Sequence, residues 1–321
     1  LRAIRLRSWA ARRWWKKMMT SNVKDEGKRL KAERSAFSFP PSSFQVLQRA
    51  AAVLAASGVD SPRLTAEAVL AHVLGVTRTQ LLARPEQTLP APALAEFRSL
   101  VARAAQGEPL AYLTGRREFC GLDFLVDARV LVPRPETELL VELALSHLHT
   151  CIPTHILDIG TGSGCIAVTL AVRLPSARVT ATDISAAALA LARLNAARHG
   201  VSDRIDFIQS DLLSACHLPP AACHLLVANL PYIPSDTLPR LPVSRHEPAL
   251  ALDGGPDGLA LIRRLLSDAP GVMAPHGRLL LEINDAQSAE TLALAHTAFP
   301  SAQIEMHKDF AGLERVISIA L

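Results

Sequence analysis

The apolar run HLLVA (224–228) leads straight into Asn229-Leu230-Pro231-Tyr232, setting an amide, a proline and an aromatic ring where a buried strand ends. An asparagine and the backbone carbonyls after it can accept hydrogen bonds from a planar –NH2 group, Pro231 fixes the turn, and Tyr232 offers a flat surface. The chemistry that suits such a site is attack by a planar nitrogen. An amide or base amine is a poor nucleophile because its lone pair is delocalised, so it needs an activated donor and in-line alignment. Hydrogen bonds that strengthen as the nitrogen pyramidalises favour the transition state over the ground state. The competing reading of Asn229 is a strand terminator whose amide is merely satisfied.

A second group lies upstream. LDIGTGSGCIA sets Gly160, Gly162 and Gly164, with Thr161 and Ser163 between them, directly between a strand and a helix. Missing side chains let a ligand approach the backbone while the helix N-terminus offers free N–H groups. The G-x-G-x-G spacing differs from the dinucleotide pattern. Asp183, nineteen residues after Gly164, ends the next strand, where a carboxylate can accept both hydroxyls of a ribose; a helix cap, which Ser185 could also supply, is the alternative. Gln209-Ser210-Asp211-Leu212 ends a third strand beside the expected base. A glycine loop, a ribose carboxylate and a base-side loop on successive strand ends describe a nucleoside site. S-adenosylmethionine is the nucleoside that supplies both an activated carbon and a good leaving group.

The elements that must position these residues follow from periodicity. HILDI (155–159), RVTATD (178–183), RIDFIQ (204–209), HLLVA (224–228) and RLLLEI (278–283) are short apolar runs separated by Ala/Leu-rich helical stretches, the rhythm of a doubly wound, mostly parallel sheet. QIEMHKD and RVISIAL are joined only by FAGLE, so they should pair antiparallel. Residues 42 to about 107 read as a helical bundle. Ser42 or Ser43, Ser61 before Pro62, and Thr77 with Gln80 can start its helices, and Gly58, Gly75 and Gly107 can end them. Val46, Ala50, Val53 and Leu54 share one face, and Leu94, Phe97 and Val101 another. Around Gly115 and Gly121 the pattern becomes that of a hairpin, followed by Pro133 and Pro135. The expected organisation is a basic extension (1–41), a helical substrate-docking domain (42–114), a hairpin linker (115–134) and a catalytic domain (135–321).

Composition narrows the function classes. Of 321 residues 49% are apolar and 20% charged, as in an ordinary globular protein, and no run of eighteen apolar residues is free of charge. The net charge of +4 is deceptive: residues 1 to 39 hold 12 Lys/Arg against 3 Asp/Glu, leaving 22 against 27 for the rest. The folded part is acidic, which argues against direct nucleic-acid binding. The chain starts on Leu1 with all three tryptophans nearby, so the extension is expected to be disordered or a mis-called start upstream of Met18 or Met19. Cys120, Cys151, Cys165, Cys216 and Cys223 fit reduced core thiols in a cytoplasmic protein. Cys216-His217 and Cys223-His224 match no zinc spacing, and no metal is expected.

The N-x-P-Y motif and the glycine loop resemble those of Class I S-adenosylmethionine-dependent methyltransferases acting on planar nitrogens: adenine-N6 enzymes, ribosomal RNA adenine dimethyltransferases and glutamine methyltransferases. YLTGRREFCGLDFLVDARVLVPRPETELLVE, DIGTGSGCIA, HEPALALDGGPDGL and KDFAGLERV, spread from about residue 43 to the C-terminus, resemble the protein-(glutamine-N5) methyltransferases of peptide chain release factors, the PrmC/HemK family. PRPETE in particular is similar to the release-factor enzymes rather than to the ribosomal protein L3 glutamine methyltransferases. The resemblance implies a Rossmann-like, seven-stranded, mostly parallel sheet with an antiparallel last strand, plus a small N-terminal helical domain. It implies that Gly160, Thr161, Gly162, Ser163, Gly164, Asp183 and Leu212 bind S-adenosylmethionine, with Leu212 beside the adenine and Asn229 between cofactor and substrate. Asn229, Leu230, Pro231 and Tyr232 would hold the glutamine of the Gly-Gly-Gln loop of class 1 release factors, with Asn229, Pro231 and Tyr232 as the catalytic set. Leu230 replaces the family's usual proline, and Asn284 its usual glycine, the latter expected to alter only a loop. His246, Glu247 and Asp253 are left between pocket-shaping and structural roles. A cytoplasmic monomer acting on a protein, with no membrane and no nucleic acid, is the expectation; the alternatives are an L3 glutamine methyltransferase, an adenine-N6 methyltransferase and a non-catalytic cofactor-binding interaction protein.

Overall fold

The computed structural model describes residues 41–148, 154–216, 219 and 221–321, so residues 1–40 of the basic extension, Cys151 and His217 lie outside the described residues. The chain divides between Thr114 and Gly115 into two units. The first holds α1 (Ser43–Ala56), α2 (Pro62–Leu74), α3 (Arg78–Leu82), α4 (Ala91–Ala104) and α5 (Leu110–Thr114). Ser42 starts α1 by accepting from Gln45 N, and Gln45 reaches back to Ser42 N; Thr77 and Gln80 do the same for α3. Ser61 makes no side-chain cap bond. Pro62 opens α2 without one, because its φ is preset for the helix and it brings no N–H of its own to satisfy. Val46, Leu54, Leu70, Phe97 and Val101 meet in the core, with Val53 only partly buried at its margin.

The second unit begins with a hairpin of β1 (Arg116–Phe119) and β2 (Leu122–Leu125). Cys120 and Gly121 form its two-residue turn at φ of 51° and 79°, the hand that matches strand twist. Cys120 is therefore a half-buried turn residue, whereas Cys165 and Cys223 are buried in the core; burial pushes all three thiols up to about 12. There follow α6 (Glu138–Leu148), β3 (His155–Ile159), α7 (Cys165–Arg173), β4 (Arg178–Asp183), α8 (Ala186–Arg198), β5 (Ile205–Gln209) and β6 (Cys223–Ala228). The unit closes with α9 (Ala260–Asp268), β7 (Met273–Glu282), α10 (Ser288–Ala298), β8 (Gln303–Lys308) and β9 (Glu314–Ala320).

The seven-stranded sheet runs β5-β4-β3-β6-β7-β9-β8, parallel from β5 to β7, with β9 antiparallel to both its neighbours. The short link before β9 leaves no room for a crossover helix, so the last strand must turn back. Alternate residues of each strand serve opposite faces. Ile156, Val179, Leu225 and Leu280 pack with α6, α7 and the hairpin's Phe119 and Phe124, while Leu157, Leu226, Leu279 and Ile317 pack with α9 and α10. Burying each of those phenylalanines contributes about 2–3 kcal/mol. Asn195 of α8 fastens the hairpin: its Oδ1 accepts from Leu125 N at 2.8 Å and its Nδ2 donates to Leu125 O at 3.0 Å. Because β3 to β7 are parallel, Gly160, Asp183, Leu212, Asn229 and Glu282 all come to one edge. Among the described residues no helix is long and apolar enough to cross a membrane.

Candidate functional site

The glycine loop folds back on the neighbouring strand before it opens. Gly160 N and Thr161 N donate to Thr182 O at 2.9 and 2.8 Å, and Gly160, Gly162 and Gly164 all take positive φ. A cavity of about 200 Å³ lies against this loop, lined by Gly160 to Ser163, Asp183, Leu212 and Asn229 to Pro231. A Cβ on Gly162 would meet no atom nearer than 4.0 Å, so this peptide is bare toward a ligand. Gly164 is different: a Cβ there would lie 3.0 Å from Ala192 Cβ, so this glycine serves the approach of α7 to α8 and is not on the cavity wall.

Asp183 is wired by backbone rather than acting as a helix cap. Its Oδ2 accepts from Gly162 N at 2.9 Å and its Oδ1 from Ser185 N at 2.8 Å, and Ser185 caps α8. Burial raises the carboxyl's pKa and these two N–H groups oppose the rise. Each oxygen keeps lone-pair capacity toward the cavity. Ile184, 48% exposed, and Leu250, 56% exposed, give that cavity apolar walls. Leu212, buried, holds φ of 53°, a sparsely populated conformation for a branched side chain and of the kind found at ligand sites.

Beside the loop, on the same lining, Asn229 Nδ2 donates to Thr137 Oγ1 at 3.0 Å, so its amide is partnered as well as placed on the cavity. Leu230 is buried with its Cδ2 3.2 Å from where a Gly160 Cβ would stand, joining the two motifs through packing. Tyr232 is not brought to this cavity. Its ring joins the apolar cluster under the sheet edge and lines a neighbouring hollow with Pro234, Leu259 and Gln287; burial pushes its hydroxyl up to about 12.

A loop from residue 246 onward buttresses this wall. A Cβ on Gly254 would stand 2.7 Å from both Pro231 O and Tyr232 Cα, so only glycine lets the two backbones touch. Glu247, buried, accepts from Val132 N at 3.0 Å and pairs with Arg134 at 2.5 Å, fastening the PRPETE segment to this loop. Asp253 Oδ1 accepts from Ser235 Oγ at 2.6 Å and Gly255 N at 2.9 Å. Both acids tie this loop to neighbouring backbone and side chains. Asn284 has φ of −80° and accepts from Ala286 N, so its loop needs no glycine.

Comparison with known proteins matches residues 45–115 to the PrmC N-terminal domain and residues 137–236 to the methyltransferase small domain. A release factor glutamine methyltransferase of Moorella thermoacetica is 47% identical over 274 residues, covering 84% of this chain and 95% of that one. One from Chlorobaculum tepidum is 43% identical, covering 86% and 96%. The chain belongs to the release factor glutamine methyltransferase family. Among solved structures, a methyltransferase from Pyrococcus furiosus aligns at a TM-score of 0.45 and 16% identity, covering 72% of this chain and 98% of that one.

In this member of the release factor glutamine methyltransferase family, two acids near the site are not singled out by motif or spacing. Asp158, fully buried in β3, accepts from Thr161 Oγ1 at 2.6 Å and Ala167 N at 3.0 Å, tying the glycine loop to α7. Its Oδ1 makes no hydrogen bond, and burial pushes the carboxyl up to about 7. Glu282, at the end of β7 and 2% exposed, lies against Thr137 and Asn229; burial pushes it up to about 7 while hydrogen bonds from those two side chains oppose the rise. The signal that could find them is an acid at a strand's carboxyl end, LDIG in one case and LLLEI in the other.

Proposed function

We propose that this chain transfers a methyl group from S-adenosylmethionine to the side-chain nitrogen of the glutamine in the Gly-Gly-Gln loop of class 1 peptide chain release factors. The observation that carries the reading is Asn229, an oriented amide lining the same cavity as a bare glycine loop. The residues present fit the cofactor: bare backbone at Gly162, an acceptor carboxylate at Asp183 and apolar surfaces at Ile184 and Leu212. When bound there, S-adenosylmethionine supplies a methyl group on a sulfonium and a neutral thioether as leaving group.

The protein's own part is placement. Asp183 holds the ribose end, and Asn229 Oδ1 with the carbonyls after it accepts the N–H groups of the substrate amide. This keeps the nitrogen's face toward the donor carbon. One amide N–H gives way to N–CH3 and its proton is released. As the nitrogen gains positive charge, the acceptors at Asn229 bind it more strongly, which lowers the barrier without a strong base. The helical unit is the proposed docking surface for the folded release factor, and the protein works as a cytoplasmic monomer without nucleic acid. Purified release factors incubated with labelled cofactor should carry label on the loop glutamine alone. Label on ribosomal protein L3, with none on release factors, would overturn the assignment.

A further inference from the structure

An asparagine side chain has two nearly equal ends, one accepting and one donating, and only one orientation serves a substrate –NH2 group. Something must choose. Asn229 Nδ2 donates to Thr137 Oγ1 at 3.0 Å, and a hydroxyl alone cannot choose, since it donates as readily as it accepts. Beside them stands the Glu282 carboxyl: the β6–β7 register that pairs Ala228 with Leu281 sets it next to Asn229, where the Thr137 and Asn229 side chains can donate to it. An ionised carboxylate only accepts. It therefore turns the Thr137 hydroxyl hydrogen toward itself, leaves Thr137 Oγ1 to accept, and holds the Asn229 –NH2 inward, so that Oδ1 is the end left for the cavity.

We propose that Glu282 is a positioning residue for methyl transfer, fixing through Thr137 and directly which end of the Asn229 carboxamide meets the acceptor nitrogen. The proposal rests on the reading of Asn229 as the holder of the substrate amide. Three distant segments converge to make the relay: the turn before α6 brings Thr137, the end of β6 brings Asn229 and the end of β7 brings Glu282. Glu282 is 2% exposed and its Oε2 makes no hydrogen bond, an unusual expense for a residue with no role beyond packing. The charged groups facing it are Glu136 from the turn before α6, which opposes ionisation, and Arg315 from β9, which favours it; Tyr232 after β6 shares its field. With burial dominant, the carboxyl titrates at about 7. The proton-free form is the one that orients Asn229, so turnover rises with pH through that value. A protonated Glu282 can donate and releases the choice.

Glu282→Gln is the decisive variant because it keeps shape and adds a donor. Its kcat should fall about 10- to 100-fold, with KM for the release factor and cofactor affinity near wild type, and the wild-type rise of kcat across neutrality should disappear. Asn229→Asp should also be slow, since two carboxylates then face each other. The double variant Asn229→Asp with Glu282→Gln should recover part of the lost rate, because the introduced amide would donate to the introduced carboxylate and leave an acceptor oxygen for the substrate. Wild-type kcat in Glu282→Gln with an unchanged pH profile would overturn the proposal. A second readout needs no substrate: in wild-type protein the side-chain 15N resonance of Asn229 should titrate with Glu282. A resonance indifferent to pH and to Glu282→Gln would equally overturn it. Absence of transfer by the wild type would refute the substrate reading instead, leaving the resonance to judge Glu282.

Discussion

The two walls of the cavity are built from different materials. On the proposed donor wall a bare peptide at Gly162 stands beside the Asp183 carboxylate, which backbone N–H groups of Gly162 and Ser185 pin in place. On the proposed acceptor wall beside it they are the side chains of Asn229 and Thr137, with Glu282 behind them, each from a different stretch of chain. A ligand shared by many reactions can be held by a loop whose conformation is set locally. Discriminating one planar nitrogen calls for a donor–acceptor pattern, which requires side chains with a defined polarity. The donor wall should therefore govern affinity and the acceptor wall turnover.

The largest effect should come from the acceptor wall. Asn229→Ala is expected to lower kcat about 10²- to 10³-fold, read in single turnover, because it removes an acceptor that strengthens in the transition state. Next in size is Gly254→Ala. Its Cβ would press on Pro231 O and Tyr232 Cα, both at 2.7 Å, and should cost about 1–3 kcal/mol in a denaturant titration while displacing the Asn229 wall. Gly162→Ala meets no neighbour but must keep φ of 55°, a strain of about 1 kcal/mol, and should weaken cofactor binding roughly tenfold with little change in single-turnover rate at saturation.

The smallest effect concerns the anchor beneath the donor wall. Asp158 has its pKa raised from 3.8 to about 7, so the folded state holds the proton more tightly than the unfolded state. Its contribution to stability is full below the unfolded value and is lost as pH rises toward about 7. Asp158→Asn should flatten that part of the profile, seen as a wild-type-minus-variant difference in Tm that changes between about pH 4 and 7. Glu282 titrates in the same direction and keeps its own share of the slope in that variant.

The difference between the walls also explains what can be read from the amino acids alone. Gly160, Gly162 and Asp183 announce themselves by spacing, because loop conformation and strand ends are local properties, and the strands 155–159 and 178–183 form as their apolar runs require. Ser61 shows where local reading stops: its type suits a cap, yet its backbone, at ψ of 66°, leaves the extended region a cap needs and its side chain makes no cap bond. Thr137 and Asn229 are 92 residues apart, and no periodicity relates them. The motif places Tyr232 beside the substrate amide; in the fold it packs against the apolar cluster that holds Leu230 and Leu259 and lines a neighbouring hollow, a placement set by residues far away in sequence. Gly164 sits in the same motif as Gly162, and only the approach of α8 separates a packing glycine from a cavity-lining one.

The claim that the two walls divide the work is tested most directly by measuring cofactor Kd and single-turnover methyl transfer to a release factor on the same preparations of Asp183→Asn and Asn229→Ala. The predicted result is a crossing: Asp183→Asn loses affinity yet reacts near the wild-type rate at saturating cofactor, while Asn229→Ala binds the cofactor normally and barely reacts. If both variants lose affinity and rate in the same proportion, the division is wrong.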